Sequence, residues 1–194
     1  MPLELEAKFG VETHEPVRER LGVLGAQFLA RVVETNTIHD RPDGRLRQSG
    51  CGLRVRGVEV LAGASHPATL TFKGPVQTGL FKKREELELP LADADAMRRL
   101  LEAIGFGEVL RFRKRRESWR LHDCRVELDE LPRLGLFVEI EGHNEGVVQA
   151  AQVALGLTGA VHEPRGYVGM LAELRPPDAP PPAVFDFPTP SRAG

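Results

Sequence analysis

Leu3-Glu4-Leu5-Glu6-Ala7-Lys8-Phe9 alternates strictly between apolar and charged side chains. Successive side chains of a strand point to opposite faces. Leu3, Leu5, Ala7 and Phe9 therefore share one face, and Glu4, Glu6 and Lys8 share the other. The polar face is wholly ionic, with two like charges about 7 Å apart.

The pattern recurs along the chain. Arg54 and Arg56 point together in Leu53-Arg54-Val55-Arg56. Thr69, Thr71 and Lys73 oppose Leu70 and Phe72, while Arg84, Glu86 and Glu88 oppose Leu87 and Leu89. Lys114, Arg116, Ser118 and Arg120 oppose Trp119 and Leu121. Arg125, Glu127 and Asp129 oppose Val126 and Leu128, and Glu139 and Glu141 oppose Val138 and Ile140. One charged strand is ordinary solvated surface. A whole set with like charges at spacing two repels itself unless counter-charges intervene, and a sheet closed with its ionic faces inward supplies them. Its apolar faces then pack outward against helices.

Period-two stretches predict strands at Leu3–Phe9, Ala26–His39, Gly52–Leu61, Ala68–Gly74, Lys82–Leu89, Glu108–His122, Cys124–Glu130 and Leu136–Gly142. Pro42-Asp43-Gly44 is a turn between two of them. Helices are few. Thr13 caps one that ends at Gly25, and Asp93 caps one that stops at Gly105. A third runs from Glu145 to Leu155, and a short fourth begins near Arg165. The expected fold is α+β: a closed or nearly closed eight-stranded antiparallel β-barrel with a charged lumen and helices outside. Residues 1–175 form this domain. Residues 176–194, rich in Pro and Ala, read as a mobile extension outside the core.

Composition excludes several classes. A net charge of −2 gives no global attraction to nucleic acid or to an anionic membrane. Aromatics are 6%, too few for base-stacking platforms. No apolar stretch is long enough to span a bilayer, and acidic residues stand where a signal peptide needs basic ones, so a cytoplasmic protein is expected. Cys51 and Cys124 form no metal-thiolate spacing and read as free thiols.

The inward bases would be Lys8, Arg54, Arg56, Lys73, Arg84, Lys114 and Arg116, and the inward acids Glu4, Glu6, Glu86, Glu88, Asp129, Glu139 and Glu141. Arginine's fork takes phosphate oxygens two at a time and lysine acts as a point charge. Several of each suit a polyanion longer than one phosphate. The carboxylates suit a hard cation, Mg²⁺ or Mn²⁺. No P-loop is present, and Gly105-Phe106-Gly107 lacks the third glycine of a dinucleotide fingerprint, so side-chain charge must do the gripping.

These residues resemble the CYTH superfamily, or triphosphate tunnel metalloenzymes, which includes class IV adenylate cyclases, thiamine triphosphatases and inorganic triphosphatases. Its N-terminal ExExK stands here as Glu4-Leu5-Glu6-Ala7-Lys8. Matches follow in order at Leu53-Arg54-Val55-Arg56, Thr71-Phe72-Lys73-Gly74-Pro75, Arg84-Glu85-Glu86-Leu87-Glu88, Lys114-Arg115-Arg116, Leu128-Asp129-Glu130 and Leu134-Gly135-Leu136-Phe137-Val138-Glu139-Ile140-Glu141. Glu163-Pro164-Arg165-Gly166-Tyr167 resembles the EPRSY ending of cyclase-like members.

The resemblance implies metal binding by Glu4, Glu6, Glu139 and Glu141 with Asp129 assisting. It implies a triphosphate grip by Lys8, Arg54, Arg56, Lys73, Arg84, Lys114, Arg116 and Arg165, with Glu86 and Glu88 as supporting acids. Lys8, Glu4 and Glu6 would carry the chemistry, which is triphosphate hydrolysis or, alternatively, cyclisation of ATP. A non-catalytic phosphate-binding module is the third reading. The partner would be a triphosphate-containing small molecule, and the protein a monomer or homodimer. Two departures stand out: Asn36-Thr37-Ile38-His39-Asp40 replaces an aspartate and a Tyr-Phe pair, and Gly166 replaces the serine of EPRSY. His39 reads as an edge histidine beside a turn.

Overall fold

The computed structural model describes residues 3–64, 67–77, 82–176 and 178–188; the side chains of residues 3, 4, 82 and 83 fall outside that set. The strands are β1 (Leu3–Val11), β2 (Gln27–Asp40), β3 (Gly52–Gly63), β4 (Ala68–Lys73), β5 (Lys82–Leu91), β6 (Gly107–Leu121), β7 (Cys124–Leu131), β8 (Gly135–Gly142) and β9 (Ala183–Phe185). The helices are α1 (Glu15–Val23), α2 (Arg45–Gln48), α3 (Ala94–Ala103), α4 (Glu145–Ala154) and α5 (Tyr167–Glu173).

The strands hydrogen-bond in the order β2-β3-β4-β5-β1-β8-β7-β6, and β2 also pairs β6, which closes a ring of eight antiparallel strands. The expected barrel is therefore present. Closure needs tight corners. Gly63 ends β3 at φ +87°, where an added Cβ would lie 2.3 Å from the Leu29 carbonyl oxygen, so only glycine lets β3 stop against β2.

The outward face of β1, β7 and β8 carries Leu5, Ala7, Phe9, Val126, Leu128, Val138 and Ile140. They pack with Val17 and Leu21 of α1 and Val148 and Ala151 of α4. The inward face is charged in its middle and turns apolar at one end, at Leu110, Phe112, Leu131 and Phe137. Tyr167, Met170 and Leu171 of α5 and Ala183 and Phe185 of β9 close over that end in a second core.

Several expectations change. Residues 183–185 do not hang free: β9 runs parallel to β6, pairing Leu110 with Ala183 and Phe112 with Phe185. Isolated apolar residues in a Pro-rich stretch carry no periodicity, so their partner was invisible in sequence. Helix α1 is capped by His14, not Thr13; the His14 ring lies 3.0 Å from the Phe137 carbonyl oxygen. The 42–44 turn leads into α2, too short to show a period. His39 is fully buried, because β2 is paired on both sides rather than lying at an edge. The outward face of β4 and β5 stays open, with Phe72, Leu87 and Leu89 at 37%, 49% and 60% exposure. Cys51 and Cys124 are free thiols as expected.

Candidate active site

The ring encloses a cavity of about 1000 Å³. Its lining includes Glu6, Lys8, Glu34, Arg54, Arg56, Lys73, Arg84, Glu86, Glu88, Lys114, Arg116, Ser118, Arg125, Glu127, Glu139 and Glu141. Most of the residues singled out from sequence thus converge on one space. The register explains how: Lys8 lies opposite Glu139 and Glu6 opposite Glu141 across β1–β8, and Arg116 lies opposite Asp129 across β6–β7.

On the β1–β8–β7–β6 wall the charges are deeply buried and tightly paired. Lys8 Nζ lies 3.2 Å from Glu139 and donates to the Arg165 carbonyl at 2.9 Å. Arg116 donates to both Asp129 oxygens at 2.7 and 2.6 Å and to Glu139 at 2.5 Å. Lys114 lies 3.1 Å from Asp129 and 3.4 Å from Glu34. Ser118 donates to Glu127 at 2.5 Å.

The β3–β4–β5 wall is looser. Arg56 reaches Glu34 at 3.4 Å and Glu88 at 3.1 Å. Arg54 donates to Thr71 at 3.3 Å, and Thr71 to Glu88 at 2.9 Å. Lys73 pairs with Glu86, and Arg84 donates to the Gly74 carbonyl at 2.6 Å.

Burial alone would raise the Glu34 pKa, but Lys114, Arg116, Arg56 and Arg54 outweigh it and hold the carboxyl well below the usual 4.5. Glu127 goes the other way: burial and the neighbouring Asp129 outweigh Arg116 and push it up. Burial likewise pushes the Arg54 guanidinium down, helped by Arg56.

Glu6, Glu139 and Glu141 offer carboxylate oxygens that all lie within 4.8 Å of one another. That donor set fits a hard divalent cation, which takes oxygen ligands at about 2.0–2.6 Å. Asp129 does not join this group. Arg116, Lys114 and the Tyr167 hydroxyl already occupy its oxygens. Arg165 does not reach the cavity either: its guanidinium binds Glu163 and Glu173 and is half exposed. The Glu4 side chain lies outside the described residues; its backbone registers with Arg84.

Sequence reasoning missed Glu34, Glu127 and Tyr167. Glu127 carried the signal, since it alternates in phase with Asp129. Glu34 has no like-charged neighbour at spacing two on its strand.

The CYTH domain family model matches residues 2–163. The chain belongs to the CYTH family. The protein "Putative adenylate cyclase MJ0240" of Methanocaldococcus jannaschii is 30% identical over 139 residues, 72% of this chain and 76% of its own. The PH1819 protein of Pyrococcus horikoshii OT3 is 26% identical at a TM-score of 0.75, covering 89% of this chain and 99% of its own. The HpAC1 protein from Hippeastrum shares the fold at 18% identity and a TM-score of 0.64, over 90% of this chain and 97% of its own. The CYTH fold thus accounts for the ring and its charged lumen, and the family supports an enzyme.

Proposed function

We propose that this CYTH protein hydrolyses a triphosphate, inorganic or carried by a nucleoside or thiamine, with Mg²⁺ or Mn²⁺. One observation carries the reading: a carboxylate triad, Glu6, Glu139 and Glu141, stands in the same enclosed lumen as Lys8, Arg116, Arg54, Arg56 and Lys73. Ionisable groups are gathered inside a protein at considerable desolvation cost. Here the bases of the lining outnumber its acids, so the lumen itself draws a polyanion, while the buried acids answer part of that charge. A divalent cation on the acidic triad would add to that attraction, and the family resemblance implies one.

Glu6, Glu139 and Glu141 would hold the metal, joined, as the alternation of the sequence implies, by Glu4. When bound, it would neutralise phosphate charge and lower the pKa of a coordinated water. The remaining work falls to side chains. Arg54, Arg56, Lys73 and Arg84 would grip the phosphate chain from the open wall, and Lys114 and Arg116 from the buried wall. Lys8, fixed between Glu139 and the Arg165 carbonyl, would meet the phosphoryl group undergoing attack. Positioning and preorganised charge would supply most of the acceleration.

A second reading, cyclisation of ATP, has its own support. Apolar residues Ile38, Leu46, Leu53 and Leu110 line the cavity beside the charged lumen and would suit a base. The relative MJ0240 is named for cyclase activity, whereas HpAC1, also named as a cyclase, is described as having a dominant triphosphatase activity. Incubation with inorganic triphosphate or ATP and Mg²⁺ or Mn²⁺ separates the readings. Orthophosphate release supports hydrolysis; cyclic AMP with pyrophosphate overturns it in favour of cyclisation. Neither product, with triphosphate bound, leaves a binding module.

A further inference from the structure

The Glu163–Tyr167 segment lies beyond the strands that make the lumen, yet it folds back onto one lysine of β1. His162 bridges Phe9, and the Glu163 amide donates to the Lys8 carbonyl at 2.8 Å. The Lys8 ammonium then donates to the Arg165 carbonyl at 2.9 Å and stands 4.1 Å from the centre of the Tyr167 ring. The arginine of this motif therefore presents its backbone to the lumen, and its charge goes to Glu163 and Glu173.

Tyr167 is buried, edge-on to Phe137 at 5.3 Å between centroids. Its ring also faces the Lys114 ammonium at 5.3 Å, and its hydroxyl donates to Asp129 at 2.9 Å. One aromatic side chain thus touches an ammonium from β1, an ammonium from β6 and the acid on β7 that fixes Arg116.

We propose that Tyr167 is a positioning residue: its ring holds Lys8 and Lys114 at the points where they meet phosphate oxygens, and its hydroxyl steadies Asp129. The proposal rests on reading the lumen as a triphosphate site. Lysine is a point charge on a flexible four-carbon stem, so placing it needs fixed partners. A carboxylate in place of Tyr167 would hold both lysines but cancel the charge that phosphate requires. An aromatic face attracts the cations without neutralising them. Lys8 has three N–H donors, and Arg165 and Glu139 account for two, which leaves one for a ligand. Burial and the charges of Asp129 and Glu139 push the phenol pKa well above its ordinary value, so the hydroxyl stays a donor.

The test uses calorimetric binding of the non-hydrolysable imido analogue of triphosphate in Mg²⁺, beside turnover of triphosphate itself. Tyr167→Leu should weaken analogue binding about 10-fold and lower kcat about 100-fold. Tyr167→Phe, which keeps the ring, should restore affinity to within about threefold. In a Lys8→Met, Lys114→Met background, Tyr167→Leu should change affinity by no more than about threefold, the share that the hydroxyl contributes through Asp129, since the ring acts through the lysines and is silent without them. Wild-type affinity in Tyr167→Leu, or a loss that adds fully in the lysine-free background, overturns the positioning role. A wild-type protein that binds no analogue overturns the reading of the lumen itself. Thermal unfolding of each variant confirms a folded sample. Tyr167→Met, similar in bulk and without a π face, replaces the leucine variant if that one does not fold.

Discussion

The two walls of the lumen are built differently. On β1, β8, β7 and β6, Lys8, Lys114, Arg116, Asp129 and Glu139 are nearly inaccessible, and each acid serves two or more bases. On β3, β4 and β5, Arg54 and Arg56 share Glu88, whose side chain is 43% exposed. The outside matches the inside: α1 and α4 cover the first wall, while Phe72, Leu87 and Leu89 of the second face solvent. A buried network fixes its charges before a ligand arrives, which is what preorganisation requires. A half-exposed wall can adjust its arginines to the ligand. We expect the buried wall to set the rate and the open wall to set affinity.

The largest effect should come from the carboxylate triad. Glu139→Ala removes a proposed metal ligand together with the partner of both Lys8 and Arg116. Metal-dependent phosphate release should fall about 10³-fold, and near-normal rates would break the assignment of this wall.

Arg116 and Arg56 test the contrast directly. Arg116→Ala leaves Asp129 and Glu139 buried without their main counter-charge and should cost about 3–5 kcal/mol of stability in denaturant unfolding. Arg56→Ala should cost about 1 kcal/mol or less while raising KM about 10-fold. Equal stability losses would show that the walls do not differ.

Glu34 joins the walls, since it pairs with Lys114 on one side and Arg56 on the other. Its folded-state pKa lies below the unfolded 4.5, so the folded form binds the proton more weakly. The stability it contributes is fully present above pH 4.5 and is lost as pH falls from there toward the folded value. Glu34→Gln should therefore lower stability by about 2 kcal/mol at pH 7, and the gap from wild type should close in acid. A gap that stays constant down to about pH 3 would mean that its charge does not matter.

These outcomes also bear on what sequence could reveal. The barrel was legible because closure is forced by faces of like charge, such as Glu4 with Glu6 and Arg54 with Arg56, that cannot share a solvated surface cheaply. Residues in phase on long strands were legible for the same reason. Pairing partners were not: Asp129 sits in phase with Glu127 and reads like any other lumen acid, yet four donor contacts from Arg116, Lys114 and Tyr167 separate it from the triad. Arg165 sits in a motif that suggests phosphate contact, and only the path of the chain shows its carbonyl doing the inward work. β9 is three residues long and depends on an apolar end of the barrel that lies far earlier in the chain, at Leu110 and Phe112.

The smallest effect should come from the outside of the open wall. Leu70 registers with Leu89 and Phe72 with Leu87 across β4–β5; α3 contacts β4, yet Phe72, Leu87 and Leu89 stay substantially exposed, so this face carries an apolar patch. If the wall is compliant because little packs on it, Leu89→Ser, at a side chain 60% exposed, removes little buried area. Its stability should stay within about 0.5 kcal/mol of wild type, and triphosphate turnover should be unchanged. Leu5→Ser on the covered wall removes a side chain that is 6% exposed and should cost several times more. A large loss from Leu89→Ser would mean that the patch is covered in solution, and that the second wall is as rigid as the first.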